Sequence, residues 1–203
     1  MGVVTVDIAN SRTVKRRKVE SPNLTQATVI ALDPGETTGW SLLTVDPAAL
    51  SNPAKVKILG SIYDHQHGQV DSYRGDDGEQ QMVDDLYALC AVWPHAAVVI
   101  EDFVIRINDR SRSFLAPVRT TAALKQLLWA DGRITFKQTP NDAKNTATDS
   151  RLKDWGMYER EGGLNHARDA DRHAILFARR CAQSLKLRSE AFPHLFKKGA
   201  PYA

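Results

Sequence analysis

The sequence predicts an α/β fold: a mixed five-stranded sheet with the first three strands antiparallel and the later two parallel, flanked by helices on both faces. Two short apolar runs, at 28–32 and 96–100, are typical of central strands that are buried on both sides. A helical pattern at 79–93 precedes the second run, and such a crossover joins parallel strands of one sheet. These three stretches predict the centre of the sheet.

Turn residues delimit the other predicted elements. The Asp-Pro-Gly segment at 33–35 turns the chain, and residues 40–45 then form a strand antiparallel to the first. Residues 56–62 alternate loosely and predict a third strand, whereas the polar, glycine-containing stretch 64–78 predicts a long loop. The remaining predicted elements are a turn-rich loop at 47–53, a helix at 116–130, a short strand at 134–136, a helical piece from Pro140 and a helix at 164–187.

The chain of 203 residues is long enough for one domain with a sizeable core. We expect a flexible basic arm at 1–26, a folded domain at 27–187 and a loosely held tail at 188–203. The arm contains five basic and two acidic side chains, so it accounts for the whole net charge of +3. Its Lys-Arg-Arg-Lys run has three interpretations: a nuclear-localisation-like string, an arm that contacts phosphates, or solubilising charge.

The amino-acid composition helps to distinguish a soluble protein from a membrane-spanning or secreted one. A hydrophobic content of 42% with 25% charged residues is typical of a soluble globular protein. No apolar run approaches the ~20 residues that cross a bilayer, and the N-terminus lacks the apolar segment of a signal peptide. Cys90 and Cys181 lie in apolar helical patterns without paired spacing, which indicates buried thiols in a reducing compartment. We therefore expect a cytoplasmic protein with no membrane partner.

Acidic residues follow both buried strands. Asp33 ends the first run and Glu101 ends the second, and the ends of parallel neighbours meet at one edge of a sheet. On the last long helix, His166, Asp169 and His173 share one face, since they are spaced i, i+3 and i+7. We expect this face to join the two acids. The alternatives are a capped Asp-Pro-Gly turn and an ordinary surface pair on a helix.

Two further acids lie beside these residues. Asp102 should face the opposite side of its strand from Glu101, so we assign it at most a supporting role. Asp171 lies about 200° around the helix from the site-facing acid and should point elsewhere. We interpret it as an ion-pair partner of Arg168 or Arg172.

Carboxylates gathered around one point repel each other unless divalent cations neutralise them. Oxygen ligands favour Mg²⁺, for which Mn²⁺ can substitute, and a histidine tolerates Mn²⁺ better than Ca²⁺. Two such ions about 4 Å apart activate a water and stabilise the leaving oxygen in the in-line cleavage of a phosphodiester. The sequence has no HExxH motif and no paired-cysteine spacing, which argues against zinc chemistry.

Basic residues that suit nucleic acid lie in the second half of the chain. The stretch 105–117 is predicted as a loop whose guanidinium groups and aromatic ring suit phosphate contact and base stacking. An exposed loop with solubilising charge is the alternative, and single lysines on exposed faces are usually only solvated. The candidate DNA-binding residues are Arg106, Arg110, Arg112, Phe114, Lys137 and Lys144.

Three ordered motifs, LDPGxxTGW, VVIED and HxxDA on a late helix, resemble the RuvC family of Holliday-junction resolvases in the RNase H-like superfamily. The alanine-rich string of the third motif is similar to the phage-encoded branch, and the resemblance spans about residues 28–181. It implies that Asp33 is the first-strand metal ligand and Glu101 the fourth-strand acid. His166 and Asp169 match the paired helix ligands.

The resemblance also implies an activity. Its members act as homodimers that nick two opposed strands of a four-way DNA junction with Mg²⁺, and the loop at 106–114 would reach towards the junction centre. The basic arm, the stretch 64–78 and the tail after Ser189 depart from the family pattern. They bear on substrate range and dimer geometry more than on the chemistry.

We therefore expect a metal-dependent, structure-selective endonuclease for four-way or other branched DNA, with two ions per site and no nucleotide cofactor. If the gene is phage-encoded, its product would act in the bacterial host cytoplasm. The second hypothesis is a non-catalytic module of the same fold that binds junctions or other nucleic acid. A sugar kinase or actin-like ATPase shares an Asp-x-Gly hairpin, but those folds need a larger second lobe than 203 residues allow.

Overall fold

The computed structural model describes residues 24–72, 77–103, 112–158 and 164–202, with only the backbone at 112–114. Five strands form one sheet in the order β3-β2-β1-β4-β5. β1 pairs antiparallel with β2, and β2 pairs antiparallel with β3, whereas β4 is parallel to both β1 and β5. The strands are β1 (Ala27–Asp33), β2 (Thr37–Val45), β3 (Ile62–Asp71), β4 (Ala97–Glu101) and β5 (Thr135–Gln138). The predicted mixed sheet is confirmed.

Helices cover both faces of this sheet, as predicted. They are α1 (Pro47–Ser51), α2 (Gly78–Val92), α3 (Arg112–Ala130), α4 (Pro140–Thr146), α5 (Asp149–Asp154), α6 (Asn165–Gln183), α7 (Leu185–Ala191) and α8 (Pro193–Phe196), with a 3-10 turn at Ile58–Ser61. None of the helices in the described part of the chain has both the length and the apolarity that crossing a membrane requires.

Two apolar clusters lie on opposite sides of β1. Val29 and Ala31 belong to the cluster that includes buried residues of α6, α7 and α8. Ile30 and Leu32 belong to the cluster that includes buried residues of α2 and α3. Alternate side chains of a strand point to opposite faces, so a strand buried on both sides must be apolar throughout. This explains the unbroken apolar run from which β1 was predicted.

The prediction was wrong about the third strand. We expected a strand at 56–62 and a loop at 64–78, but β3 runs over Ile62–Asp71 and pairs with the whole of β2. The strand has no apolar alternation, because its inward side chains His65, His67 and Gln69 are polar and hydrogen-bond to α6. A period-two hydrophobic pattern therefore could not reveal it.

The C-terminal segment was also misjudged. We expected a loosely held tail at 188–203, but Phe192 and Leu195 are fully buried in the cluster beneath α6. Arg188 Nη1 adds a hydrogen bond of 3.1 Å to the carbonyl oxygen of Leu50. The segment is thus part of the core, while the domain boundaries at 26/27 and 187/188 stay predictions.

Candidate active site

Two strands place their terminal acids at the same edge of the sheet. In the parallel pairing of β1 with β4, Leu32 lies opposite Ile100, so Asp33 and Glu101 follow at equivalent positions. Asp33 also lies opposite Gly39 of β2 in the hairpin. The edge at which these acids meet is the one that the sequence predicted.

Helix α6 reaches this edge because Gly39 leaves room for it. A Cβ atom at Gly39 would lie 2.0 Å from the backbone carbon and oxygen of His166, far inside contact distance. The first turn of α6 then rests on β2, with Leu164 at the N-cap. The Gln69 side-chain oxygen accepts hydrogen bonds from the backbone N–H groups of His166 (3.0 Å) and Ala167 (3.4 Å). A side chain of β3 thereby satisfies helix-terminal donors that have no intrahelical partner.

Asp33 and His166 are in direct contact. Nδ1 of His166 lies 2.7 Å from Oδ2 of Asp33, which is only 7% exposed. Burial raises the pKa of Asp33; the hydrogen bond from His166 opposes this shift, whereas the charges of Glu101 and Asp169 add to it. The pKa of His166 is raised, chiefly by its hydrogen bond to Asp33, against the opposing effect of burial. The predicted residues are thus close enough for their charges to interact.

Glu101 is held by His173, which the sequence placed on the site-facing side of the helix without assigning it a ligand role. Nε2 of His173 lies 2.7 Å from Oε2 of Glu101, and the His173 side chain is 1% exposed. With the Gln138 amide oriented to satisfy its neighbours, its nitrogen donates to His173 Nδ1 at 3.1 Å, and its oxygen accepts from Phe177 N–H at 3.2 Å. Nδ1 of His173 is then an acceptor, so Nε2–H donates to the carboxylate. Gln138 fixes the tautomer and His173 orients Glu101.

Asp169 lies at the edge of an open cavity of about 480 Å³. It pairs with Arg172 on the next turn of α6, and Nζ of Lys144 lies 3.6 Å from its Oδ2. Arg172 also pairs with Asp149 and donates to the Ala147 carbonyl oxygen at 2.8 Å. The cavity is lined by Lys144, Thr148, Asp149, Asn165, Arg168, Asp169 and Arg172.

The donor set suits hard divalent cations. Three carboxylates and one imidazole converge from β1, β4 and α6, and mutual repulsion contributes to the raised pKa of Asp33. No three of these four residues have donor atoms that all lie within 4.8 Å of one another. In this arrangement each of two ions would take no more than two of these side chains, and water or a DNA phosphate would complete its coordination.

The other candidate residues fall in different places. Lys144 is 57% exposed beside Asp169, and Lys137 pairs with Asp102 at the end of β4. Arg106 and Arg110 lie outside the described residues. Arg112 and Phe114 are in the first turn of α3, but their side chains also lie outside the described part of the chain.

The interpretation of Asp171 was wrong. Asp171 is fully buried and pairs with neither Arg168 nor Arg172 in the contacts described; its two oxygens each lie 2.7 Å from an imidazole nitrogen. The imidazoles belong to His65 and His67. Because the stretch 64–78 was interpreted as a loop, nothing in the pattern placed these histidines opposite α6. Their alternate spacing was the one available signal.

Comparisons with known proteins agree with this architecture. The structure of T. thermophilus RuvC in complex with a Holliday junction substrate is similar to the chain, with a TM-score of 0.53 and 14% identity over 75% of this chain and 92% of that one. A second Thermus thermophilus RuvC structure has a TM-score of 0.51 and 17% identity over 74% of this chain and 93% of that one. No protein-family model and no curated protein sequence matches the chain. The likeness shows that this chain shares the RuvC fold.

Proposed function

We propose that the protein is a metal-dependent endonuclease that resolves four-way, or other branched, DNA junctions by paired nicks. The observation that carries the proposal is the convergence of Asp33, Glu101, His166 and Asp169 at one sheet edge. In support, the fold is that of RuvC, for which a complex with a Holliday junction substrate is known.

The acidic residues and His166 are proposed to bind Mg²⁺, or Mn²⁺ in its place, with two ions per site. Bound ions would supply an activated water and charge stabilisation for the leaving oxygen of an in-line phosphodiester cleavage. Asp33 and Glu101 hold fixed positions because they end buried strands. His173 orients Glu101, and Asp169 would exchange its pairing with Arg172 for an ion.

The cavity beside Asp169 is the proposed path of the DNA backbone. It brings the cations Lys144, Arg168 and Arg172 next to a proposed metal ligand, as a polyanionic substrate requires. Lys137 lies on β5 and pairs with Asp102, and we propose that it exchanges this pairing for a DNA phosphate. We propose the same role for Arg106, Arg110, Arg112 and Phe114.

We further propose that the protein is a homodimer, because two opposed strands of a junction need two active sites. The phage-like third motif favours action in a bacterial host cytoplasm. Light scattering on the purified chain tests the dimer directly: a monomer at working concentrations would contradict paired nicking by a stable assembly.

The activity is tested with synthetic DNA labelled on each strand: four-way junctions, flaps, forks and plain duplex. With Mg²⁺ the wild type should cut the junction at opposed positions and spare the duplex. Asp33→Asn should bind the junction with unchanged affinity but fail to cut it. Full cleavage by this variant, or equal cleavage of duplex and junction by the wild type, would overturn the proposal.

A second candidate is a non-catalytic module that binds branched DNA. It is favoured by the pairing of every proposed ligand within the protein: Asp33 with His166, Glu101 with His173, and Asp169 with Arg172. Calorimetric titration with Mg²⁺ and with Mn²⁺ separates the two candidates. Junction binding without any binding of either ion would favour the module.

A further inference from the structure

A second cluster of imidazoles and carboxylate lies away from the proposed active site. His65 and His67 alternate along β3 and therefore face the same side of the sheet, towards α6. Nε2 of His65 lies 2.7 Å from Oδ1 of Asp171, and Nδ1 of His67 lies 2.7 Å from Oδ2. The two rings meet edge to face, with centroids 5.1 Å apart. One carboxylate thus gathers two imidazoles.

We propose that His65, His67 and Asp171 form a site for a first-row transition-metal ion of the Zn²⁺ class, which ties β3 to α6. Among the described residues, this is the group whose three donor atoms all lie within 4.8 Å of one another. Imidazole nitrogens suit Zn²⁺ and its neighbours, whereas Mg²⁺ prefers an all-oxygen set. The cluster therefore differs in selectivity from the carboxylate-rich set at the sheet edge.

The spacing of the donors suits such an ion. Zn²⁺ binds nitrogen and oxygen at about 2.0–2.1 Å, so adjacent ligand atoms of a tetrahedral site lie about 3.3 Å apart. Each imidazole would retreat from Asp171 by roughly half an ångström, which a small side-chain rotation provides. The Asp171 side chain is fully buried and that of His67 is 6% exposed, while that of His65 is 18% exposed. The partial exposure of His65 gives an ion an entry path, and a water would complete a tetrahedral site as the fourth ligand.

Burial gives the ion an energetic reason to bind. Asp171 is a buried carboxylate, and the two imidazoles that contact it are themselves metal ligands rather than lysine or arginine. A divalent cation between them would bind all three groups and add a full charge beside the carboxylate. Because Gln69 lies two residues along β3 from His67 and accepts from the first turn of α6, fixing β3 also fixes the end of α6 that carries His166.

The site is tested with the full chain, first stripped with chelator and then titrated with Zn²⁺ alone in a buffer that contains excess Mg²⁺. The wild type should bind one equivalent, and Co²⁺ should give the visible absorption of a low-symmetry site. The double variant H65Q/H67Q should lose at least about a hundredfold in Zn²⁺ affinity, since losing even a supporting partner costs ~10–100-fold.

Two controls make the result specific. His95 and His194 form another histidine pair, with ring centroids 5.3 Å apart, so H95Q/H194Q should bind Zn²⁺ as tightly as the wild type. Asp33→Asn should also bind it unchanged, which separates this site from the proposed active site. If H65Q/H67Q does not fold, the single variant His65→Gln, at the more exposed ligand, replaces it and should still lose at least about tenfold. Absence of Zn²⁺ binding by the wild type, or binding that H65Q/H67Q leaves unchanged, would overturn the proposal whatever the nuclease assays show.

Discussion

The proposed active site and the cluster of His65, His67 and Asp171 differ in how their buried carboxylates are stabilised. At the sheet edge, Asp33 and Glu101 each meet one imidazole, and nearby acids repel Asp33. Beneath α6, Asp171 meets two imidazoles. The pKa of Asp33 is raised. Burial also raises the pKa of Asp171, but the hydrogen bonds and charges of His65 and His67 together outweigh burial and lower it. The surroundings of Asp33 therefore disfavour its ionised form, whereas the surroundings of Asp171 favour its ionised form.

This difference separates a site whose acids favour the proposed cations from one whose acid is already hydrogen-bonded and stabilises the fold even before the proposed Zn²⁺ binds. A bound cation or protonation would relieve the unfavourable ionised state of Asp33. This site therefore lowers the stability of the fold, and the proposed cations would restore it. Asp171 is ionised with its partners already in place. Its removal should therefore damage the fold, and removal of Asp33 should damage only the activity.

Neutralising each acid in turn is the strongest test of the comparison. Asp33→Asn should reduce junction cleavage at least about a thousandfold and raise the free energy of unfolding by about 1 kcal/mol at pH 8, because it removes a buried charge. Asp171→Asn should lower that free energy by about 1.5–3 kcal/mol, because it loses charge-assisted hydrogen bonds, and should retain cleavage at low temperature. Urea unfolding in chelator and a junction-nicking assay measure both. Two variants with the same sign of stability change would contradict the comparison.

The sequence predicted one cluster and missed the other for a physical reason. Asp33 and Glu101 follow apolar runs, and His166 and Asp169 share a helical face, so local periodicity was enough to bring them together. Asp171 depends on β3, whose inward residues are polar because α6 satisfies them, and no hydrophobic pattern records such a pairing. The buried Phe192, Leu195 and Phe196 do have helical spacing, but the flanking prolines and lysines suggested a tail.

The close approach of α6 to β2 allows the next test. Gly39→Ala places a methyl group where the His166 backbone now lies, so the first turn of α6 must move. A displacement of about 1 Å in a catalytic group can cost ~100-fold, and we expect a loss of that size in junction cleavage, with a stability cost of about 1–3 kcal/mol. A Cβ atom at Gly60 would have no neighbouring heavy atom within 4 Å, so Gly60→Ala is the matched control and should cleave normally. Equal activity of the two variants would show that α6 tolerates the shift.

His173 tests whether the orientation of Glu101 matters. His173→Leu removes the donor to Glu101 and should lower cleavage by about 10–100-fold, the usual cost of losing a partner that orients a metal ligand. His173→Gln can still donate from its amide nitrogen and should recover part of that loss. The dependence of the rate on Mg²⁺ concentration provides a second readout, since a misplaced Glu101 should raise the concentration required. If the leucine and glutamine variants are equally impaired and have normal Mg²⁺ dependence, His173 contributes only packing.

The smallest expected effect is in the pH dependence of stability. Because the pKa of Asp33 is raised, its favourable contribution exists below its ordinary value of 3.8 and is lost as the pH rises through the folded value. The pKa of Asp171 is lowered, so its contribution is present above 3.8 and is lost as the pH falls through the folded value. As the pH is lowered from 8, the advantage of Asp33→Asn over the wild type should therefore shrink as the pH falls through the folded pKa of Asp33, and be nearly gone at about 3.8. The raised pKa of His166 also reduces the advantage of Asp33→Asn as the pH falls, because protonated His166 stabilises the wild type through Asp33.

The loss of unfolding free energy in Asp171→Asn should persist down to about pH 3.8 and shrink only below it. Chemical unfolding in chelator at successive pH values measures both variants. A deficit of Asp171→Asn that shrinks first would mean that the two carboxylates have exchanged the roles assigned to them.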